Sequence, residues 1–439
     1  MMVPRRKRHG IGRGRSRVQR KAVGGKKGAM LDLFAVKNQI DDMVADECRA
    51  QEDFREKLEM AVQAYRGWQA DWQTLAEKIA RSRTSWLMPG IVEGLDVTPT
   101  CPQRPEKISI AATDGSQIFP DRHEISSCFL INIGYILLHY GTGEKPLMSS
   151  KPTLYYREEE IFEEWDGRRV FVNRELVGTK RGLMEFSELA ALSLAAQEAG
   201  HSVLACSDGT LIQWSLEGKP HDFKDYVLGE TMRDFDALEK AGLPVCGYIS
   251  HPGSQDVINA LKLGLCPQDT ADCDRCPWRP ENQLGCSSEE KEALQAQLWN
   301  GRVPCSPLDG ISDAVLMRQI LKPGQRSPVF RSSSKILESY GRHWIHFFYV
   351  HVGQEIGRVE VPEWVAQDES MLELVHACIC DQAEKGQGYP VALSEAHERA
   401  VVRSADRESF YRFLRDTYVK NDMRAHISTK SFKKRHVGI

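Results

Sequence analysis

The sequence lacks any long hydrophobic run: none of its stretches approaches 18 uncharged apolar residues, so we expect no membrane-spanning helix. It also lacks a recognisable signal peptide, because no apolar segment follows the basic N-terminus. A cytoplasmic location is therefore the default expectation. The chain has 439 residues, 41% hydrophobic and 27% charged. This composition is typical of a globular protein, and the length is sufficient for two or three domains.

Acidic residues are absent from the first 27 positions, which hold eleven lysines and arginines. Because the whole chain has a net charge of −3, the other residues carry −14. A basic arm of this kind can bind nucleic acid by neutralising phosphates, and the alternative is a disordered tail without a function. We interpret residues 1–29 as a basic disordered arm and residues 421–439 as a basic C-terminal tail.

A helical, coiled-coil-like extension is expected over residues 30–90. Its apolar residues recur at alternating steps of three and four, which is the spacing of a heptad seam. This seam can pack on the same chain or pair with a second copy. The seam residues are Phe54, Leu58, Ala61, Tyr65, Trp68, Trp72, Leu75 and Ile79.

Two segments place an aspartate and a glycine after an apolar run: Asp114-Gly115, followed by serine, and Asp208-Gly209, followed by threonine. We predict that each apolar run is a buried strand that ends at its aspartate and then turns tightly. If the two strands are neighbours in one sheet, their carboxylates repel each other, and a divalent cation relieves the repulsion. The pattern therefore indicates a cation site, although Asp-Gly also occurs in ordinary turns.

Four further polar positions are candidates for the same site. A helix predicted over about 176–199 carries Glu185 and Glu188 on one face and leads into the second aspartate strand. Glu185 is our first choice as a third carboxylate and Glu188 is the alternative; both could instead lie on a solvated helix face. Tyr389 precedes another predicted helix, and His397 lies about two turns inside it. Histidine can bind a cation or position a water, but a structural histidine is the alternative.

The order of the predicted elements indicates the fold class. Strands come first and then alternate with helices, which predicts a mixed α/β sheet with helices packed on it. We place this domain at residues 105–420. Predicted strands include residues 107–113 and 201–207, and one of the predicted helices covers residues 364–384.

Five of the twelve cysteines fall within residues 265–305, an insertion in the α/β domain. In a cytosolic protein such clustering indicates metal binding rather than disulfides. The four predicted ligands, spaced C-x6-C-x2-C-x9-C, are Cys266, Cys273, Cys276 and Cys286. Cys305 is a substitute ligand. Zinc and a [4Fe–4S] cluster both accept four thiolates, and the spacing does not separate them. Four cysteines leave no open coordination position, so we expect a structural role.

Taken in order, these motifs resemble the NurA family, whose members are nucleases that process DNA ends at double-strand breaks. The resemblance rests on the Asp-Gly-Ser strand, the helical glutamate, the Asp-Gly-Thr-Leu strand, the Gly-Tyr-Ile-Ser segment at 247–250, and a Tyr-Pro pair with a histidine eight residues after the tyrosine. It covers residues 105–415, which is most of the chain.

The resemblance implies an RNase H-like fold and manganese- or magnesium-dependent cleavage of DNA. It implies 5′-to-3′ exonuclease and single-strand endonuclease activity in DNA end resection, and a homodimer that works with HerA, a hexameric DNA-translocating ATPase. The residues implied as ligands of two Mn²⁺ or Mg²⁺ ions are Asp114, Glu185 (or Glu188) and Asp208. Tyr389 and His397 would complete the catalytic site.

Two departures from the family pattern stand out. Many members have a lysine after the Gly-Tyr-Ile segment, where this chain has Ser250-His251, so we expect a different basic contact to phosphate. The cysteine-rich insertion is the second departure. A rival interpretation is a catalytically silent DNA-binding or scaffolding subunit that regulates a DNA translocase. The presence of all the required carboxylates favours the enzyme.

Overall fold

The structure is a computed structural model, and the residues it describes are 33–120, 127–283 and 286–423. The chain divides into two units, residues 1–53 and residues 54–439. The predicted basic arm lies outside the described residues, and so does the predicted basic tail from residue 424 onward. No helix among the described residues is long and apolar enough to cross a membrane.

The N-terminal region contains two helices, α1 (Leu33–Gly67) and α2 (Trp72–Arg81), with a turn between them. In the second unit the predicted seam packs on its own chain. Tyr65 and Leu75 are fully buried in a core that also contains Phe347 of the main sheet. For this part of the seam, the intramolecular alternative is the one observed.

The remaining strands and helices form one α/β assembly. The strands of the described residues are β1 (Gly90–Ile91), β2 (Ile108–Ile118), β3 (Phe129–Tyr140), β4 (Leu147–Tyr155), β5 (Phe162–Trp165), β6 (Arg168–Phe171), β7 (Val203–Asp208), β8 (Val245–Ile249), β9 (Phe330–Arg331), β10 (Ile345–His351) and β11 (Ile356–Pro362). The helices that follow α2 are α3 (Glu158–Ile161), α4 (Arg174–Glu198), α5 (His221–Lys240), α6 (Asp256–Gly264), α7 (Ser288–Gln295), α8 (Asp313–Ile320), α9 (Glu363–Gln367), α10 (Glu369–Lys385), α11 (Val391–Ala400) and α12 (Ser404–Lys420).

Nine strands form one mixed sheet in the order β1-β9-β10-β11-β8-β7-β2-β3-β4, and β5 pairs with β6 separately. Strands β2, β3 and β4 are antiparallel neighbours, whereas β2, β7 and β8 run parallel. Three consecutive antiparallel strands with two parallel strands beside the first are the RNase H-like arrangement. The predicted mixed α/β, RNase H-like fold is therefore confirmed.

Alternation along the strands explains why helices cover both faces of the sheet. In β2, Ile110 and Ala112 belong to a core shared with α10 and α11. Ala111, between them, belongs to a second core shared with α4 and α5. The same alternation occurs in β7. Both faces of the central strands are therefore buried, which is why their sequences read as continuous apolar runs.

Two sequence predictions about individual elements are wrong. Strand β2 does not end at Asp114 but continues to Ile118, because β3 pairs with it along its whole length. The single helix predicted over residues 364–384 is two helices. Asp368 interrupts it with an extended backbone, and its side chain accepts a hydrogen bond from the Met371 amide at the start of α10.

Candidate active site

Two neighbouring parallel strands bring the two aspartates to the same level of the sheet. Strands β2 and β7 are in register up to the pair Thr113 and Ser207, and Asp114 and Asp208 are the next residue of each strand. The Asp208 carboxyl has a raised pKa, mainly because of burial, with a further contribution from the nearby Asp114. The two carboxylates thus interact electrostatically, as their sequence context predicts.

Helix α11 lies against β2 and β3 because small residues leave room for it. Gly134 of β3 pairs with Asp114, and a Cβ atom on this glycine would lie 2.3 Å from the Ala400 amide nitrogen. The Ala400 carbonyl accepts hydrogen bonds from the Ser116 hydroxyl at 2.5 Å and the Asn132 side-chain amide at 2.8 Å. These contacts fix the C-terminal end of α11 over the first aspartate.

Each aspartate is hydrogen bonded by one of the predicted C-terminal residues. His397 on α11 donates from Nδ1 to Oδ2 of Asp114 at 2.7 Å. The Tyr389 hydroxyl donates to Oδ1 of Asp208 at 2.9 Å. Burial and the Asp208 carboxylate raise the pKa of Tyr389, so the phenol stays protonated and acts as a donor. Its ring packs edge-on against Tyr248 at 5.7 Å, which holds the side chain in place.

Glu185 reaches the site from α4 through the space left by a glycine. A Cβ atom on Gly115 would lie 2.3 Å from Oε1 of Glu185, so a larger residue in this strand would displace the carboxylate. The helix is held here because the Thr113 hydroxyl donates to the Glu185 carbonyl oxygen at 2.9 Å. Glycine inside a strand is unfavourable for strand stability, and close approach of Glu185 is the physical reason for it here.

The Glu185 carboxylate is in an unusual electrostatic environment. Its pKa is raised to about 7, mainly by burial and further by Asp114 and Asp208, although Arg181 opposes the shift. Nε of Arg181 lies 2.9 Å from Oε1 of Glu185 in an ion pair, and a hydrogen bond from the Gly115 amide also lowers the pKa of this carboxyl. The buried Oε1 makes no hydrogen bond of good geometry, so it keeps lone pairs that a cation can use.

Glu188, the alternative third carboxylate, is engaged elsewhere. It accepts a hydrogen bond from Lys151 of β4 at 2.9 Å. Glu188 lies about one helical turn after Glu185, and its side chain therefore faces β4 at the edge of the sheet. The structure therefore brings Glu185, Asp114 and Asp208 together and does not bring Glu188 to them.

Comparison with known proteins identifies the family of the chain. A model of the NurA domain family matches residues 108–402, which is more than half of the chain. The chain belongs to the NurA family. The matched range includes both aspartates, Glu185, Tyr389 and His397, and extends two residues beyond the end of α11. No curated protein sequence matches the chain.

Two solved structures are similar to this NurA-family chain, and both are distant. The crystal structure of the NurA nuclease from Sulfolobus solfataricus is 14% identical, with a TM-score of 0.41 over 89% of this chain and 96% of that chain. LC9-RNase H1, a type 1 RNase H with the type 2 active-site motif, is 11% identical, with a TM-score of 0.17 over 44% of this chain and 87% of that chain.

A cavity of about 280 Å³ opens beside the carboxylates. Glu185 and Asp208 contribute to its wall, together with the loop that follows β7. Trp214, at the end of this loop, is 42% exposed and lines this cavity and two others. The loop is held because Glu360 of β11 accepts hydrogen bonds from the Thr210 hydroxyl and the Leu211 amide.

Sequence reasoning missed two features of the site. The first is Arg181, which lies four residues before Glu185 on α4. This spacing places the two side chains on the same helix face and could have indicated their contact. The second is Glu355, which is buried and accepts hydrogen bonds from the hydroxyls of Tyr248 and Ser250, both at 2.7 Å. Nε2 of the exposed His251 lies 3.0 Å from Glu355. No local pattern indicated Glu355, because it lies in the turn between two strands far along the chain.

Three groups among the described residues bring three potential ligand atoms within 4.8 Å of one another. None of them contains a predicted site residue. The groups are Cys101 with His376 and Cys380, His139 with Glu144 and His201, and Asp236 with Glu239 and His343. The three predicted carboxylates therefore do not bring three ligand atoms within 4.8 Å of one another. His397 is hydrogen bonded to one oxygen of Asp114, and Tyr389 is hydrogen bonded to one oxygen of Asp208.

The thiols of the insertion meet in a different combination from the predicted one. The walls of one pocket include Cys266, Cys273, Cys276 and Cys305. Cys286 is not among its lining residues. The backbone bridge between Trp299 and Arg302 turns the chain after α7, and this turn precedes the segment that brings Cys305 to the pocket.

Proposed function

We propose that this NurA-family chain is a metal-dependent deoxyribonuclease whose catalytic carboxylates are Asp114, Glu185 and Asp208. The observation that carries the proposal is the buried Glu185 carboxylate, with its raised pKa, beside two aspartates on adjacent strands. Hard carboxylate oxygens are the ligands that Mn²⁺ and Mg²⁺ prefer. We expect two such ions, as the family resemblance implies. When bound, they would activate water and stabilise the leaving oxygen of a phosphodiester.

The chain's own residues prepare this site in two ways. Tyr389 donates to one oxygen of Asp208, and His397 donates to one oxygen of Asp114, so both carboxylates are held in orientation. The other oxygen of Asp114 accepts from the Gly115 amide at 2.7 Å and keeps a lone pair for a cation. Residues that hydrogen bond to metal ligands in this way, without binding the metal themselves, commonly fix the orientation of those ligands. Arg181, beside Glu185, supplies positive charge where a phosphate would enter. Its guanidinium can take the place of the lysine that many members have after Gly-Tyr-Ile.

The cavity beside the carboxylates supports single-stranded DNA as a substrate. Exposed aromatic rings bind unpaired bases by stacking, independently of sequence, and Trp214 offers such a ring next to Asp208 and Glu185. We extend the proposal to 5′-to-3′ exonuclease and single-strand endonuclease activity in DNA end resection. We also propose that the chain acts as a homodimer with a HerA-type translocating ATPase. Family membership is the support for these functions and partners.

A nuclease assay on the purified full chain tests the proposal. Single-stranded and recessed-end DNA should be cleaved with Mn²⁺ or Mg²⁺ and not after chelation. Asp114→Asn should fold normally and lose at least about 100-fold in cleavage rate, more than the roughly 10–100-fold cost of removing an outer partner. Metal-independent cleavage would contradict the proposed metal site. No cleavage by the wild-type protein, even with its ATPase partner present, would instead favour the silent scaffolding subunit.

A further inference from the structure

The thiol pocket, defined as the space enclosed by Cys266, Cys273, Cys276 and Cys305, lies in a segment with little regular structure. Between α6 and α7 the described residues contain one short 3-10 turn, Pro280–Asn282. A segment of this kind cannot be held by a core of its own, and a bound metal commonly supplies the missing folding free energy.

The pocket is nevertheless built into the rest of the fold. The Cys273 amide donates to the Arg83 carbonyl oxygen at 2.9 Å, and the Arg83 amide donates to the Ala271 carbonyl oxygen at 2.8 Å. The Lys78 ammonium donates to the Cys266 carbonyl oxygen at 2.6 Å. Three of the four thiols are thus on a loop that is hydrogen bonded to the C-terminal end of α2.

The fourth thiol comes from a distant part of the chain. Cys305 directly precedes the 3-10 turn Ser306–Leu308. Its side chain nevertheless lines the same pocket as the three thiols of the insertion loop. The four positions therefore form one convergent set of soft donors.

The spread of the thiols favours the larger of the two candidate metal groups. Tetrahedral zinc with Zn–S bonds of about 2.3 Å holds its sulfurs about 3.8 Å apart. Among the described cysteines of the insertion, no three sulfur atoms lie within 4.8 Å of one another. A four-iron cluster attaches each cysteine to a different iron and so requires wider spacing. The shell is also apolar, since Trp86, Leu263 and Trp278 line the pocket.

We propose that Cys266, Cys273, Cys276 and Cys305 ligate one [4Fe–4S] cluster and that Cys286 is not a ligand. The cluster joins α2, the insertion loop and the segment before α8. It also holds Trp86 in place. This residue lines the thiol pocket and, together with Trp214, a neighbouring cavity. Its role is structural, because four cysteines leave no open position for a substrate. This proposal does not depend on the nuclease activity.

Metal analysis of three full-length proteins tests the ligand set. Wild type and Cys286→Ser, purified without oxygen from iron-replete cells, should each contain about four irons and about four acid-labile sulfides per chain. The matched variant Cys305→Ser should contain about tenfold less iron. One zinc per chain with no iron in the wild type would overturn the cluster. Full iron in Cys305→Ser, or iron loss in Cys286→Ser, would overturn the ligand set.

Thiol alkylation of the wild-type protein gives an answer even if Cys305→Ser fails to fold. All five cysteines of the insertion are residues of intermediate exposure, and the comparison before and after chelation separates ligation from burial. In the iron-loaded protein, mass spectrometry should find Cys286 modified and the four pocket thiols protected. After oxidation and chelation, the four should become reactive. Modification of Cys305 as rapid as that of Cys286 in the iron-loaded protein would contradict the proposal.

Discussion

The two Asp-Gly segments have nearly the same sequence but different backbones. At Asp208-Gly209 the strand ends, and Gly209 has a positive φ of 95°, which favours glycine. At Asp114-Gly115 the strand continues to Ile118. Here the glycine is needed for space, because a Cβ atom would meet Glu185. Gly209 is therefore required by the backbone conformation, whereas Gly115 is required because it leaves space for Glu185.

This difference shows what builds the candidate site. The second segment only has to end a strand and start a loop, and a turn motif achieves that. The first segment must be approached from two sides, by Glu185 from α4 and by α11 over Gly134. Small residues in the middle of paired strands make both approaches possible. The arrangement of the candidate site therefore depends on close packing around small residues and not on the turn motif.

The largest expected effect comes from the glutamate that uses the space at the first segment. Glu185→Gln should lower Mn²⁺-dependent cleavage by at least about 100-fold, because it removes a negative ligand beside two aspartates. Glu188→Gln is the matched control and should change the rate by less than about threefold, since exposed ion pairs contribute little. Steady-state cleavage rates measure both. Equal losses, or a greater loss for Glu188→Gln, would refute the assignment.

Alanine at each glycine tests the comparison itself. Gly115→Ala should lower cleavage by about 10–100-fold, because displacing Glu185 misplaces a metal ligand. Gly209→Ala has nothing within 4 Å of its new Cβ atom but has a strained φ, so it should mainly lower the free energy of unfolding by about 1–2 kcal/mol. Cleavage rates and denaturant unfolding separate the two outcomes. A Gly115→Ala protein with normal activity would show that this space is not required.

The smallest expected effect is on stability as a function of pH. The folded protein raises the pKa of Glu185 from 4.5 to about 7, so its neutral form stabilises the fold. That contribution is fully present below pH 4.5 and is lost as pH rises through 7. In chelator, wild type should therefore lose roughly 1–3 kcal/mol relative to Glu185→Gln over this window. Parallel unfolding curves for the two proteins from pH 5 to pH 8 would contradict the shift.

Much of the fold was predictable because burial leaves a clear pattern. Strand β7 is buried on both faces and reads as an apolar run, so its position followed from the sequence. The end of β2 was mispredicted because Asp-Gly is a turn signal locally, and only pairing with β3 overrides it. The break at Asp368 was missed because the apolar pattern continues across it.

The candidate site was predictable where short motifs carry it and not where distant elements meet. The aspartates, Tyr389 and His397 stand in recognisable local contexts. The choice between Glu185 and Glu188 depends on which residue of a helix faces a glycine on a neighbouring strand, which a single sequence does not contain. The lining of the thiol pocket by Cys305 and not by Cys286 is a similar case, because the chain returns to the pocket only after α7.

Calorimetric titration with Mn²⁺ at about pH 8, in the absence of DNA, tests the central claim most directly. That claim is that Asp114 and Asp208, on adjacent parallel strands, hold cations together with Glu185. Wild type and Glu188→Gln should bind Mn²⁺ with similar affinity, whereas Asp114→Asn and Asp208→Asn should each bind at least about 100-fold more weakly. Unchanged Mn²⁺ affinity in either folded aspartate variant would contradict the account.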